Sequence, residues 1–161
     1  ALTVPIMSPS VAFSLILPIT NSKSLSTAKL IARLSSNGVV CNVTAIFTFN
    51  QVIDVMKLLP KNTKIILTIF AGRIADSGKD PEELLRKIKK YVKNYKNVKL
   101  LWASTREVFN IFQAARSGCD IITVPYGIIS KLKYIGKNQT KFSLETVKMF
   151  KNDAEKAGYK I

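Results

Sequence analysis

Five short apolar runs, each followed by a longer amphipathic stretch, constrain the fold of this chain more than any other feature. The runs are VAFSLILPI, GVVCNVTAIF, KIILTIF, VKLLWAS and DIITVP. Helical spacing of apolar residues fills the intervals, at 26–36, 49–59, 81–95, 106–117, 128–132 and 144–157. Near-continuous apolar runs mark strands covered on both faces, and strands alternating with helices give a parallel sheet with right-handed crossovers. The expected class is α/β, built from parallel βα units.

Local signals support the boundaries. Asp80-Pro81-Glu82-Glu83 reads as an N-cap, a proline at the first helical position and an acidic first turn. Asn37-Gly38 and Ser117-Gly118 read as helix stops that lead directly into strands. In PEELLRKIKKYVKNY, Leu84, Leu85, Ile88, Tyr91, Val92 and Tyr95 fall on one side, while Arg86, Lys87, Lys89, Lys90 and Lys93 fall opposite. That is the pattern of a solvated helix covering a core. No linker, low-complexity segment or sequence repeat divides residues 1–161, so a single domain is expected.

Several function classes are disfavoured. A formal charge of +15 invites nucleic acid as a partner, but the basic residues spread over several helices without an RNA- or DNA-binding motif. The first 22 residues carry no charged side chain, yet Pro5, Pro9 and Pro18, with Ser8, Ser10 and Ser14, spoil a membrane helix there. Neither nucleic acid nor membrane is expected as a partner. The chain contains no histidine, which removes the commonest general base and the usual zinc sites. Its two cysteines, Cys41 and Cys119, each sit inside an apolar segment, as buried thiols of a cytoplasmic protein would. No metal site is expected.

Polar residues at the carboxyl ends of the strands are the first candidates for a site, because ligands of parallel α/β folds bind there. Asn42 and Thr44 interrupt the second run two residues apart, so they share a face that looks into something wet. Asn42-Val43-Thr44 and Asn138-Gln139-Thr140 also fit a glycosylation acceptor, which requires secretion. Arg73 follows the third strand, and Ser104, Thr105 and Arg106 follow the fourth. Two arginines, a hydroxyl and the start of a helix suit a phosphate group. The alternative is local pairing, Arg73 with Asp76 or Arg106 with Glu107.

The segments LPITNSKSLST, GVVCNVTAIFTFNQ, TIFAGRIADSGKDP, LLWASTREVFNIFQA, GCDIITVP and FSLETVKMFKNDAEKAG, in this order and spacing, resemble the later part of a transaldolase. The resemblance covers residues 17–159 and leaves 1–16 unlike the family. It points to the branch of shorter transaldolases and fructose 6-phosphate aldolases. The fold it implies is a TIM (β/α)₈ barrel of the class I aldolase type, here incomplete, with about five strands and a C-terminal helix. Such an arc leaves edge strands and a bare interior, so its stability alone is doubtful.

The resemblance also implies roles. Asn42 and Thr44 match the strand motif that faces the barrel interior beside the catalytic water, and Phe70 matches an aromatic residue of the substrate channel. Arg73, Ser104 and Arg106 match the grip on a sugar phosphate, the substrate class of the family. The implied reaction moves a dihydroxyacetone unit between sugar phosphates of the pentose phosphate pathway through a lysine Schiff base, without a cofactor. The family's strand carries that lysine two places before a proline; in LILPITN the position is Ile16, which cannot form an imine. Lys23, the nearest lysine, falls in a polar turn beyond the strand. The abrupt onset of the resemblance is what a truncated or frame-shifted coding sequence produces. Two expectations follow: a transaldolase-like transferase, or a catalytically dead remnant keeping a sugar-phosphate cleft. The final helix resembles one used for packing near the active site or between subunits, which admits a homo-oligomer.

Overall fold

A computed structural model describes residues 13–16 and 24–159. The strands are β1 (Phe13–Ile16), β2 (Cys41–Ile46), β3 (Ile65–Ile69), β4 (Val98–Trp102) and β5 (Ile121–Ile122). Between and after them run α1 (Ser24–Ser36), α2 (Phe49–Leu58), α3 (Ala71–Asp76), α4 (Pro81–Tyr91), α5 (Phe109–Arg116), α6 (Tyr126–Ile129) and α7 (Gln139–Lys156). A 3₁₀ turn, Leu132–Tyr134, precedes α7.

All five strands pair in parallel, in the order β1-β2-β3-β4-β5. Each strand lies beside its sequence neighbour, which is the winding of a (β/α)-barrel and not of a doubly wound sheet. Among the described residues the sheet stays open, with β1 and β5 at its edges. The expected arc of parallel βα units, not closed into a barrel, is what the described residues form.

Alternation along the strands sorts the sheet into two faces. Cys41, Val43, Ile65, Leu67, Ile69, Leu100 and Trp102 point to the helices and are at most 1% exposed. They pack with Ile31, Val52, Leu85 and Ile88 into the main core. Burying each such side chain contributes roughly 1.5–3 kcal/mol. The other face holds a smaller cluster of Ile66, Leu101 and Ala103, with Val40, Phe70 and Ile121 against it. This second face carries the polar candidates.

Helix boundaries show where local signals govern. Asp80 accepts a hydrogen bond from the Glu82 amide and caps α4, while Gly38 and Gly118 take left-handed φ of 82° and 76° at the expected stops. Several boundaries differ from the sequence reading, and for three the cause is visible. The segment of α3, which was not among the expected helices, is a short helix whose start docks onto the end of β4. Helix α5 begins at Phe109 instead of 106, because Asn110 Oδ1 accepts from the amides of Arg106 (2.8 Å) and Glu107 (3.2 Å) and holds them as a loop. Helix α7 begins at Gln139 instead of 144, because Asn138 caps it through the Lys141 amide (3.0 Å).

Both cysteines are free thiols. Burial raises the pKa of Cys41, and burial, with Asp120 adding to it, pushes Cys119 up to about 12. Among the described residues no helix is long and apolar enough to cross a membrane.

One buried acid joins two helices. Glu82 in α4 is 7% exposed and meets Arg116 of α5 at 2.7 Å and Arg86 of its own helix at 2.8 Å. The hydrogen bond from Arg116, helped by Gln113 and the charges of Arg116 and Arg86, lowers its pKa. The folded value lies below the unfolded one of about 4.3, so the bridge contributes fully above that pH and is lost as pH falls through the folded value. Glu82→Gln is expected to cost about 2 kcal/mol at neutral pH, read as a lower urea midpoint. The gap between variant and wild type should close as pH drops below 4.3, about the unfolded glutamate value.

Candidate phosphate-binding site

The carboxyl ends of β2, β3 and β4 are tied together by backbone hydrogen bonds. The Phe70 amide donates to Ile46 O (3.0 Å), the Ala103 amide to Ile69 O (2.9 Å), and the Gly72 amide to Ala103 O (3.3 Å). In β2 the register slips: Val43 pairs with Leu67 but Ile46 with Ile69, and the extra residue is taken up near Ala45, whose φ is 61°. This β-bulge re-aims the strand end, a device common beside functional sites.

Asn42 lies on the face away from the helices, where the Thr68 hydroxyl of β3 donates to its Oδ1 at 2.6 Å. Among the described residues its amide NH₂ has no hydrogen-bond partner. Thr44, opposite Ile16 of β1 in the register, is half-buried, and its hydroxyl has no hydrogen-bond partner among the described residues. Asn138, the other glycosylation-type asparagine, is occupied as the cap of α7.

Phe70 forms the hinge between β3 and α3. Its ring packs on Phe47 at 5.7 Å, and the Arg73 guanidinium stands 5.2 Å from its centroid. Arg73 makes that cation–π contact and, among the described residues, no ion pair. Gly72, the residue before it, is pressed onto the next βα unit. A Cβ there would lie 1.6 Å from Ser104 O and 3.2 Å from Arg106 Cγ. Arg73, Ser104 and Arg106 therefore come from abutting segments.

Ser104 itself has φ of 65°, a left-handed conformation uncommon for a side-chain-bearing residue. The strain is held by neighbours, since Thr105 Oγ1 donates to Thr123 O at 2.6 Å beyond β5. Arg106 does pair with an acid, but with Asp76 of α3, at 2.6 Å, and not with Glu107. The expectation that helix amides at Arg106 face an anion is corrected: Asn110 Oδ1 already takes them. What remains for an anion is two guanidinium groups and a seryl hydroxyl.

Residues 17–161 match the family model described as Transaldolase/Fructose-6-phosphate aldolase. The chain belongs to this family. It is 36% identical over 125 residues to a probable transaldolase of Nitrosopumilus maritimus, covering 76% of this chain and 52% of the relative. It is 34% identical over 139 residues to a probable transaldolase of Bartonella tribocorum, covering 86% of this chain and 60% of the relative. A probable transaldolase of Myxococcus xanthus is 36% identical over 101 residues, covering 62% and 44%. The chain spans about half the length of these curated relatives.

Within this transaldolase-family chain the lysines of the sheet are misplaced for chemistry at the strand ends. Lys64 precedes β3 and Lys99 is the second residue of β4, both at amino ends, and Lys99 faces Asp120 at 3.8 Å. Ile16 ends β1, and Lys23 lies outside the described residues. Among the described residues no group of three or more His, Cys, Asp or Glu side chains could hold a metal.

Two residues of the site, Thr68 and Asn110, escaped the sequence reading, and Asp76, read there as a local partner for Arg73, pairs with Arg106 instead. Thr68 stands two positions from Phe70 on the same strand face, a signal of the kind that singled out Asn42. Asp76 and Asn110 carry no such signal, since their partners lie in the loop after β4. A basic cleft of about 560 Å³ lies elsewhere, on the helix-covered side, lined by Arg86, Lys89, Lys90, Lys93, Lys96 and Arg116 among others. Glu82 takes both arginines and Asp120 takes Lys89, so half of those cations are spoken for.

Proposed function

We propose that this chain binds a sugar phosphate at the carboxyl ends of β3 and β4, with Arg73, Ser104 and Arg106 holding the phosphate. Phe70, Asn42 and Thr44 would line the sugar side of the same face. The observation that supports this reading is the docking of Gly72 on Ser104 and Arg106, which sets the segments carrying the two arginines side by side. Family membership and the relatives named probable transaldolases support the substrate class.

Catalysis is a separate matter. Transfer of a dihydroxyacetone unit between sugar phosphates, as in the pentose phosphate pathway of the cytoplasm, needs a lysine whose imine serves as electron sink. Ile16 stands at the place the resemblance assigns to it, and the sheet's own lysines sit at the wrong ends of their strands. The reading we favour is a chain that keeps the sugar-phosphate cleft and makes no imine.

Reductive trapping tests this. The folded chain is incubated with fructose 6-phosphate, treated with borohydride and examined by intact and peptide mass. No secondary-amine adduct is expected, alongside saturable binding of the sugar phosphate. A stoichiometric adduct on one lysine would identify the nucleophile and restore the transferase reading.

Self-association belongs to the same proposal. Helix α7 has no buried residue, and Phe142, Met149 and Phe150 on one side of it are 37%, 49% and 63% exposed. Such a stripe suits a second copy of the chain.

A further inference from the structure

We propose that Asp76 is a positioning residue for sugar-phosphate binding, holding the Arg106 guanidinium in its working orientation before the ligand arrives. The proposal rests on the reading of Arg73, Ser104 and Arg106 as the phosphate grip, and extends it to a residue outside that grip.

Arg106 is fixed along its whole length. Its amide donates to Asn110 Oδ1 at 2.8 Å, its Cγ lies beside Gly72, and its Nη2 donates to Asp76 Oδ2 at 2.6 Å. The acid engages one nitrogen, and among the described residues Nε and Nη1 have no partner. Asp76 sits three residues after Arg73 in α3, so the two share a helix face. One short helix thus supplies one phosphate-binding arginine and the anchor of the other.

The pair has little to do with holding the fold together. Both side chains are 53% exposed, where screening and side-chain entropy leave an ion pair with little net effect. Its use lies in binding. An unanchored arginine must surrender its rotamers when it grips a phosphate, and an anchored one has done so already.

Charge and positioning make opposite predictions, which makes the idea testable. Asp76 is an anion beside a site for an anion. If it acted only through charge, Asp76→Asn would tighten phosphate binding. If it positions Arg106, the same variant weakens binding despite the more favourable charge.

The experiment is calorimetric titration of the full chain with fructose 6-phosphate and, separately, with inorganic phosphate, for wild type, Asp76→Asn, Asp76→Glu and Arg106→Ala. We expect Asp76→Asn to raise Kd roughly three- to tenfold for both probes, with Asp76→Glu recovering part of the loss. Thermal unfolding should be unchanged in Asp76→Asn. Binding by Asp76→Asn that equals or exceeds wild type, while Arg106→Ala is weakened, would overturn the positioning role and leave the phosphate grip standing. Unchanged binding in Arg106→Ala would instead remove the grip itself, and the role of Asp76 with it.

Discussion

Gly72→Ala is expected to destabilise the chain by about 3 kcal/mol or more and to abolish sugar-phosphate binding. The usual expectation has the opposite sign, because alanine is favoured over glycine inside a helix by roughly 1 kcal/mol. Contact geometry decides against that gain. The new methyl would stand 1.6 Å from Ser104 O, where distances under 3.0 Å are essentially never seen. The obstacle is backbone, so no rotamer change relieves it. Either α3 moves off the end of β4 or Ser104 leaves its strained conformation, and both separate Arg73 from Arg106. Urea unfolding reads the first effect and titration with fructose 6-phosphate the second. A variant with wild-type stability and binding would show that Gly72 does not set the geometry of the site.

The same contact explains what could and could not be read from the sequence. Strands β2, β3 and β4 were legible because short near-continuous apolar runs alternate with helical spacing, and Asn37-Gly38 marks the stop that leads into β2. The apolar side of α4 was legible too, and Leu85, Ile88 and Val92 are all buried. These features depend on neighbours in the sequence. Helix α3 does not: it follows β3 with no polar cap, Phe70 making no side-chain hydrogen bond to it, and its start is set by docking on Ser104.

Charge pairing was open for the same reason. Arg106 had Glu107 beside it in sequence, and chose Asp76, which lies 30 residues away. No spacing rule selects that partner, because it depends on how two βα units are set side by side. Asn110 is a similar case, since an asparagine within an expected helix gives no hint that it will unwind the residues before it. The phosphate candidates themselves were legible, because strand-end position follows from topology alone.

Ile16→Lys should turn the chain from one that gives no trapped adduct with fructose 6-phosphate into one that gives about one per chain, at residue 16. The substitution places an amine at the end of β1, in register with Thr44 and one strand away from the Asn42–Thr68 hydrogen bond. Imine formation needs the free amine to attack the ketose carbonyl carbon, with loss of water; borohydride then fixes the product as a secondary amine. A water-exposed lysine, with a pKa of about 10.4, is a poor nucleophile at neutral pH, and desolvation when substrate covers it lowers that value. The phosphate grip supplies the rest by holding the sugar at high local concentration. Arg106→Ala in the same background should therefore suppress the adduct, which separates a bound substrate from chance labelling of a new lysine. Trapping that is equal with and without Arg106 would mean that residue 16 and the grip do not serve one site. Trapping spread over many lysines in the unsubstituted chain would mean that the sheet's carboxyl ends confer no selectivity at all.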